Sequence, residues 1–119
     1  MKKILIADDD PVMVKLFEFN LRKAGFHLLI CREGLSVISR AKDERPDIAI
    51  FDLMLPGMSG QELIRAFKGD PELKDIPIIV VTGQGKDSTR DNLISDGADS
   101  VFTKPFSPSA LLSRLSELL

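Results

Sequence analysis

The stretch Ile4-Leu5-Ile6-Ala7-Asp8-Asp9-Asp10-Pro11 turns in one step from four apolar residues to three carboxylates and a proline. An apolar run without polar alternation reads as a strand covered on both faces. Asp10 before Pro11 reads as an N-cap and the first residue of a helix. The rest of the chain repeats this strand-then-helix grammar. Further strand candidates are Leu28–Cys31, Ile48–Phe51, Ile78–Val81 and Val101–Phe102. Each is short, β-rich and bounded by turn-forming residues.

Segments of helical period lie between them. Val14, Phe17, Leu21 and Ala24 recur at three and four, and Gly25 follows at a C-terminal capping position. Val37, Ile38 and Ala41 outline a second helix that stops before Pro46. Ser59-Gly60-Gln61-Glu62 has capping-box spacing and opens a third, with Leu63, Ile64 and Phe67 inward. A mostly polar fourth runs from Asp87 to about Asp96 and is closed by Gly97. Ser107-Pro108 starts the last, which carries Leu111, Leu112, Leu115, Leu118 and Leu119. Five strand–helix units imply an α/β fold, a parallel sheet with right-handed crossovers and helices on both faces.

Composition narrows the class. The chain has 119 residues, 16 basic against 18 acidic, for a net charge of −2. That is the size of one domain with a real core, spanning 1–119. A pI near 5.4 argues against electrostatic binding of nucleic acid. One cysteine allows no internal disulfide, as suits a reducing compartment. No apolar run nears the ~18 residues that cross a bilayer, and the Asp triplet cuts short any signal-peptide core. A soluble, cytoplasmic domain is expected.

In such sheets the site lies at the carboxyl ends of the strands. Capping uses Asp10, which leaves Asp8 and Asp9 over, and Asp52 ends the third strand on the same rim. A lone Asp at a strand end is often only a turn former; three converging from neighbouring strands are harder to set aside. Two carboxylates ~4 Å apart repel by about 4 kcal/mol at an effective dielectric of 20. Such a cluster holds protons or a cation, and hard oxygens with room for water suit Mg²⁺. Thr82 adds a hydroxyl, Gly83 an amide and Lys104 an ammonium. Singly, Thr is a β-former and Lys a solvated charge. Together these groups are the parts of phosphoryl transfer: a nucleophile, a cation site and donors to the equatorial oxygens.

The segments Ile4–Pro11, Asp52-Leu53-Met54-Leu55-Pro56-Gly57-Met58-Ser59-Gly60, Thr82 and Lys104-Pro105-Phe106 resemble the receiver domain of bacterial two-component response regulators. Thr82 stands 30 residues and Lys104 52 residues beyond Asp52, close to the spacing in that family. The resemblance covers essentially the whole chain. It implies a flavodoxin-like sheet of order 2-1-3-4-5. It also implies that Asp52 accepts a phosphoryl group from a histidine kinase phosphohistidine. By the same resemblance Asp9, Asp52 and the backbone carbonyl of Met54 ligate Mg²⁺, with Asp8 completing the acidic pocket. Lys104 then pairs with the phosphoryl oxygens, Thr82 turns inward to one of them, and Lys104–Pro105 is cis. Pro56-Gly57 and Gly60 shape the loop after Asp52. The implied protein is a signalling switch rather than a turnover enzyme, read out around helix 4, strand 5 and helix 5. Its implied partners are a sensor histidine kinase or phosphotransfer protein and a downstream protein or output domain. The open choice is between a stand-alone receiver, which is favoured, and a receiver that is one domain of a longer chain; a monomer or a weak phosphorylation-dependent dimer is expected.

This sequence also departs from the family's pattern. Val101 stands where the family usually has an aromatic, and alternation points Phe102 to the opposite face, away from coupling by an aromatic flip. Gly83 replaces the commoner Ala and Gly85 follows, so a mobile loop is expected. Met54 offers no hydrogen bond to a hydrolytic water, which implies slow self-dephosphorylation. His27 and Cys31 are read as structural, Cys31 as a half-buried apolar residue. Arg22, Lys23 and Arg32 are solvated face or partner surface. A haloacid-dehalogenase-type phosphatase needs a second Asp at the position of Met54. A flavin binder would place phosphate against Asp8–Asp10. A P-loop nucleotidase needs a Gly-x-x-x-x-Gly-Lys segment that the chain lacks. An interaction-only pseudo-receiver is disfavoured by the filled site.

Overall fold

The structure, a computed structural model, describes residues 1–83 and 87–119. Five strands, β1 (Lys3–Ala7), β2 (His27–Cys31), β3 (Ile48–Phe51), β4 (Ile78–Thr82) and β5 (Ser100–Thr103), alternate with five helices. The helices are α1 (Pro11–Lys23), α2 (Val37–Glu44), α3 (Gly60–Lys68), α4 (Asp87–Asp96) and α5 (Pro108–Leu118). All strand pairs are parallel, and the sheet order is β2-β1-β3-β4-β5. The expected topology is therefore observed, with strand ends extended by a residue at Lys3, His27, Thr82, Ser100 and Thr103.

Alternation along the strands divides the core into two apolar layers. Leu5, Ala7, Phe51 and Val80 face Val37 and Ala41 of α2, Leu63, Ile64 and Phe67 of α3, and Leu93 of α4. Ile4, Ile6, Ile50, Ile79 and Val81 face Phe17 and Leu21 of α1 and Leu111 and Leu115 of α5. Each fully buried Leu, Ile or Phe contributes about 1.5–3 kcal/mol. Phe51 and Phe67 add an edge-to-face contact, with ring centroids 5.1 Å apart.

Local signals fix the helix ends. The Asp10 side chain accepts from the Val12 amide, and Pro11 opens α1. Gly25, at φ +95°, lets the Gly25 and Phe26 amides reach the carbonyls of Arg22 and Leu21, a Schellman closure. Ser59 and Glu62 exchange both hydrogen bonds of a capping box. Ser107 caps α5 through the Ala110 amide.

Some expectations change. A 3₁₀ turn, Gly34–Ser36, precedes α2 and left no periodic trace in the sequence. Cys31 is fully rather than half buried, and burial pushes its thiol pKa up. Leu119, read as part of the last helix, stands just after it as an exposed C-cap, and Ala24, read in the apolar stripe of the first helix, is exposed just after α1. Met13 joins the buried stripe of α1 although the sequence pattern did not mark it. His27 lies exposed at the start of β2, far along the chain direction from the rim. Gly85, expected in a mobile loop, lies outside the described residues.

Candidate functional site

Sheet register brings the acidic residues together. Ala7 of β1 pairs with Phe51 of β3, so Asp8 and Asp52 leave the sheet side by side. The Asp52 amide donates to the Ala7 carbonyl at 2.8 Å, which carries the alignment one residue past the strands. Asp8, Asp9 and Asp52 each offer a carboxylate oxygen within 4.8 Å of the others. Asp8 is 1% and Asp52 8% exposed, whereas Asp9 stands open to solvent.

Among the described residues, one cation answers this charge. The Lys104 ammonium lies 3.3 Å from Asp8 Oδ2 and 3.3 Å from Asp52 Oδ2. The Asp10 amide donates to Asp8 Oδ1 at 2.9 Å, and the Met54 amide makes a long contact of 3.4 Å to Asp52 Oδ1. Burial raises the pKa of Asp8, opposed by the Asp10 amide and Lys104 and reinforced by the charge of Asp52. Burial alone would lower that of Lys104, but the two carboxylates outweigh it and hold the ammonium above the usual lysine value. Lys104 is therefore charged at neutral pH. Among the described residues, three carboxylates against one ammonium leave an excess of negative charge on hard oxygens, which is the donor set a small divalent cation takes.

Thr82, the last residue of β4, is completely buried, and its carbonyl accepts from the Lys104 amide at 2.8 Å. The Lys104–Pro105 bond is cis, as the resemblance implied. Val101 packs in the layer of α2, α3 and α4, while Phe102 packs in the layer of α1 and α5. Alternation thus separates Phe102 from the face where the family's usual aromatic would lie.

The loop after Asp52 is held from two sides. A Cβ on Gly60 would lie 2.5 Å from the Asp52 carbonyl oxygen, and the Gly60 amide donates to the Leu53 carbonyl at 3.0 Å. Gly34 is pressed as closely on Met58, and its amide donates to the Pro56 carbonyl at 2.8 Å. Gly57 adopts φ +84° between them. Sequence reasoning reached Gly57 and Gly60 but missed Gly34, because a lone glycine before a helix signals no particular neighbour. It also left unused the stacking of Phe106 on Phe17, since their approach depends on how α1 and the β5–α5 loop pack.

The described helices include none long and apolar enough to cross a membrane. The family model of the response regulator receiver domain matches residues 4–116. The phosphate regulon transcriptional regulatory protein PhoB of Pseudomonas aeruginosa is 38% identical over 118 residues, which are 99% of this chain and 52% of that protein. The chain thus spans about half the length of the curated relatives it matches. Among solved structures, the chemotaxis response regulator CheY4 of Vibrio cholerae superposes with a TM-score of 0.91 at 28% identity, covering 100% of this chain and 99% of that one. The receiver domain of a sensor histidine kinase from Pseudomonas aeruginosa, solved with magnesium coordinated in its active site cleft, gives 0.90 at 26%, covering 98% and 96%. With the 2-1-3-4-5 sheet and with Asp8, Asp9, Asp52 and Lys104 gathered on its rim, the chain belongs to the response regulator receiver domains of two-component systems.

Proposed function

We propose that this domain is a phosphorylation-activated switch whose phosphoacceptor is Asp52. The observation that carries the reading is the joint approach of Asp8 and Asp52 to Lys104, with Asp9 in the same cluster. A carboxylate oxygen of Asp52 attacks phosphorus, the P–N bond of a histidine kinase or phosphotransfer-protein phosphohistidine breaks, and the imidazole leaves with the electron pair. The product is an acyl phosphate on Asp52. Asp8, Asp9, Asp52 and the Met54 carbonyl are the proposed holders of Mg²⁺, which when bound neutralises charge on the transferring phosphoryl group. Lys104 pairs with the phosphoryl oxygens, and Thr82 supplies a hydroxyl to one of them.

Phosphorylation adds about −1.5 to −2 charges to a site already acidic. Lys104 is then drawn from two carboxylates toward the new oxyanion, and its movement with that of Thr82 alters the surface of α4, β5 and α5. The domain turns over no separate substrate; it assists its own phosphorylation and dephosphorylation. Output lies with a downstream protein or a further domain, a reading supported by the transcriptional regulators among its relatives. A cytoplasmic location, and a monomer that dimerises weakly when phosphorylated, complete the proposal.

Incubation with Mg²⁺ and acetyl phosphate, read by intact mass, tests it. Wild type gains one phosphoryl group and Asp52→Asn gains none. Equal gain by both, or gain by neither, overturns the assignment.

A further inference from the structure

The two halves of the site come from loops that no strand pairing joins. Asp8 and Asp9 follow β1, Lys104 follows β5, and β3 and β4 lie between those strands in the sheet. Three interstrand spacings amount to roughly 14 Å. Among the described residues no backbone hydrogen bond links the β1–α1 loop to the β5–α5 loop. Something else must fix where the lysine arrives.

On its N-terminal side Lys104 is tied to β4 by the amide bond to the Thr82 carbonyl. On its C-terminal side, two residues on, Phe106 lies flat against Phe17 of α1, with ring centroids 5.0 Å apart and planes 9° from parallel. Phe17 is 1% exposed and belongs to the same buried cluster as Ile4, Ile6 and Leu21, so it is a buried platform. The same helix begins at the acidic triplet, where the Asp10 amide holds Asp8 Oδ1. The stack therefore joins the lysine loop to the helix that carries the acidic loop. Sequence chemistry alone does not ask for an aromatic at Phe106, because an apolar anchor of another shape would also cover the α1–α5 layer.

We propose that Phe106 is a positioning residue for phosphoryl transfer: by stacking on Phe17 it holds the β5–α5 loop so that the Lys104 ammonium meets Asp8 and Asp52 together. The proposal rests on the phosphoacceptor reading of Asp52 and adds the device that sets the cation's place. Phe106 touches none of the reacting atoms and acts only through Lys104. A stacked aromatic pair has a preferred geometry and stabilises beyond the area it buries, which a branched aliphatic side chain does not supply. Misplacing a catalytic group by about 1 Å can cost on the order of 100-fold in rate.

The test is a double-mutant cycle. Rates of phosphorylation by acetyl phosphate with Mg²⁺ are measured for wild type, Phe106→Ala, Phe106→Leu and Phe106→Tyr, each with Lys104 intact and with Lys104→Ala. Thermal unfolding of every variant sets an assay temperature at which all are folded, and Phe106→Leu keeps apolar volume should Phe106→Ala not fold. With Lys104 present, Ala and Leu at 106 slow the reaction by roughly 5- to 50-fold, while Tyr, whose hydroxyl can reach solvent from a half-buried ring, stays within about twofold of wild type. In the Lys104→Ala background the same substitutions change the rate by less than about twofold. Wild-type rates for Ala and Leu, or equal slowing with and without Lys104, overturn the positioning role and leave the phosphoacceptor assignment standing. Absence of phosphorylation in wild type, visible before any variant is compared, overturns both.

Discussion

Gly60→Ala adds one methyl group where the backbone leaves no room for it. An ideal Cβ at Gly60 lies 2.5 Å from the Asp52 carbonyl oxygen and 2.9 Å from Leu53 Cα. Ordinary contact between carbon atoms begins near 3.5 Å, so one side has to yield by about 1 Å. Both neighbours are backbone, and neither can rotate out of the way. Overpacking of this kind costs about 1–3 kcal/mol. Gly60 opens α3, where alanine returns at most about 0.5–1 kcal/mol of backbone entropy. The net loss is about 1–2 kcal/mol, which for a domain of this size lowers Tm by roughly 4–8 °C. Because the displaced carbonyl belongs to Asp52 itself, phosphorylation at a temperature well below Tm slows as well, by up to ~100-fold. Gly83→Ala is the control. No described atom lies within 4 Å of a Cβ there, and the same substitution stabilises by about 0.4–1 kcal/mol through the unfolded chain. Calorimetry and acetyl phosphate kinetics on both variants decide the matter. A Gly60→Ala protein that melts with wild type and phosphorylates at its rate would falsify the close-approach reasoning.

Three further outcomes are expected. Met54→Asn places an amide where Met54 stands exposed beside Asp52, and accelerates decay of the phosphorylated protein, followed by loss of phosphoryl mass over time; an unchanged lifetime removes Met54 as its determinant. Asp8→Asn raises Tm in EDTA, because burial makes the ionised carboxyl costly: its raised pKa means the penalty is absent below the ordinary value of 3.8 and present at neutral pH. In the same variant Mg²⁺ no longer raises Tm, and a wild-type-like Mg²⁺ response counts against Asp8 as part of the metal pocket. At the surface, Lys42 lies 2.8 Å from Asp70, and this hydrogen-bonded contact lowers the Asp70 pKa below 3.8. The contact therefore supports the fold above 3.8 and is lost as pH falls through the lower, folded-state value; in Lys42→Ala the carboxyl carbon titrates by NMR nearer 3.8.

Much of this structure is legible in the sequence because its signals are local. Asp10-Pro11, Ser59 with Glu62, and Ser107-Pro108 each name a helix start through a hydrogen bond spanning two or three residues. Apolar runs such as Ile48–Phe51 name strands because both faces of a parallel strand are covered. The acids could be gathered on one rim since strand ends and site coincide in this topology. The contacts that stayed hidden join segments far apart in the chain. Gly34 against Met58 and Phe106 against Phe17 depend on loop packing, which no periodicity encodes. The inclusion of Leu119 in the last helix failed for a different reason: α5 ends at Leu118 and Leu119 is its C-cap, so the apolar spacing runs one residue past the helix.

The pairing of Ala7 with Phe51 has a consequence for divergence within the family. The approach of Asp8 to Asp52 hangs on main-chain alignment of two central strands, so it is indifferent to which apolar side chains fill the layers above and below. Outward helix faces are freer still, since none of their side chains sets the separation of Asp8 from Asp52. A lineage can therefore rewrite recognition surfaces while the rim stays in place, as a shared fold at 28% identity illustrates. A one-residue slip between those strands would be another matter. It would turn every strand side chain to the opposite layer and separate the two carboxylates in the same step.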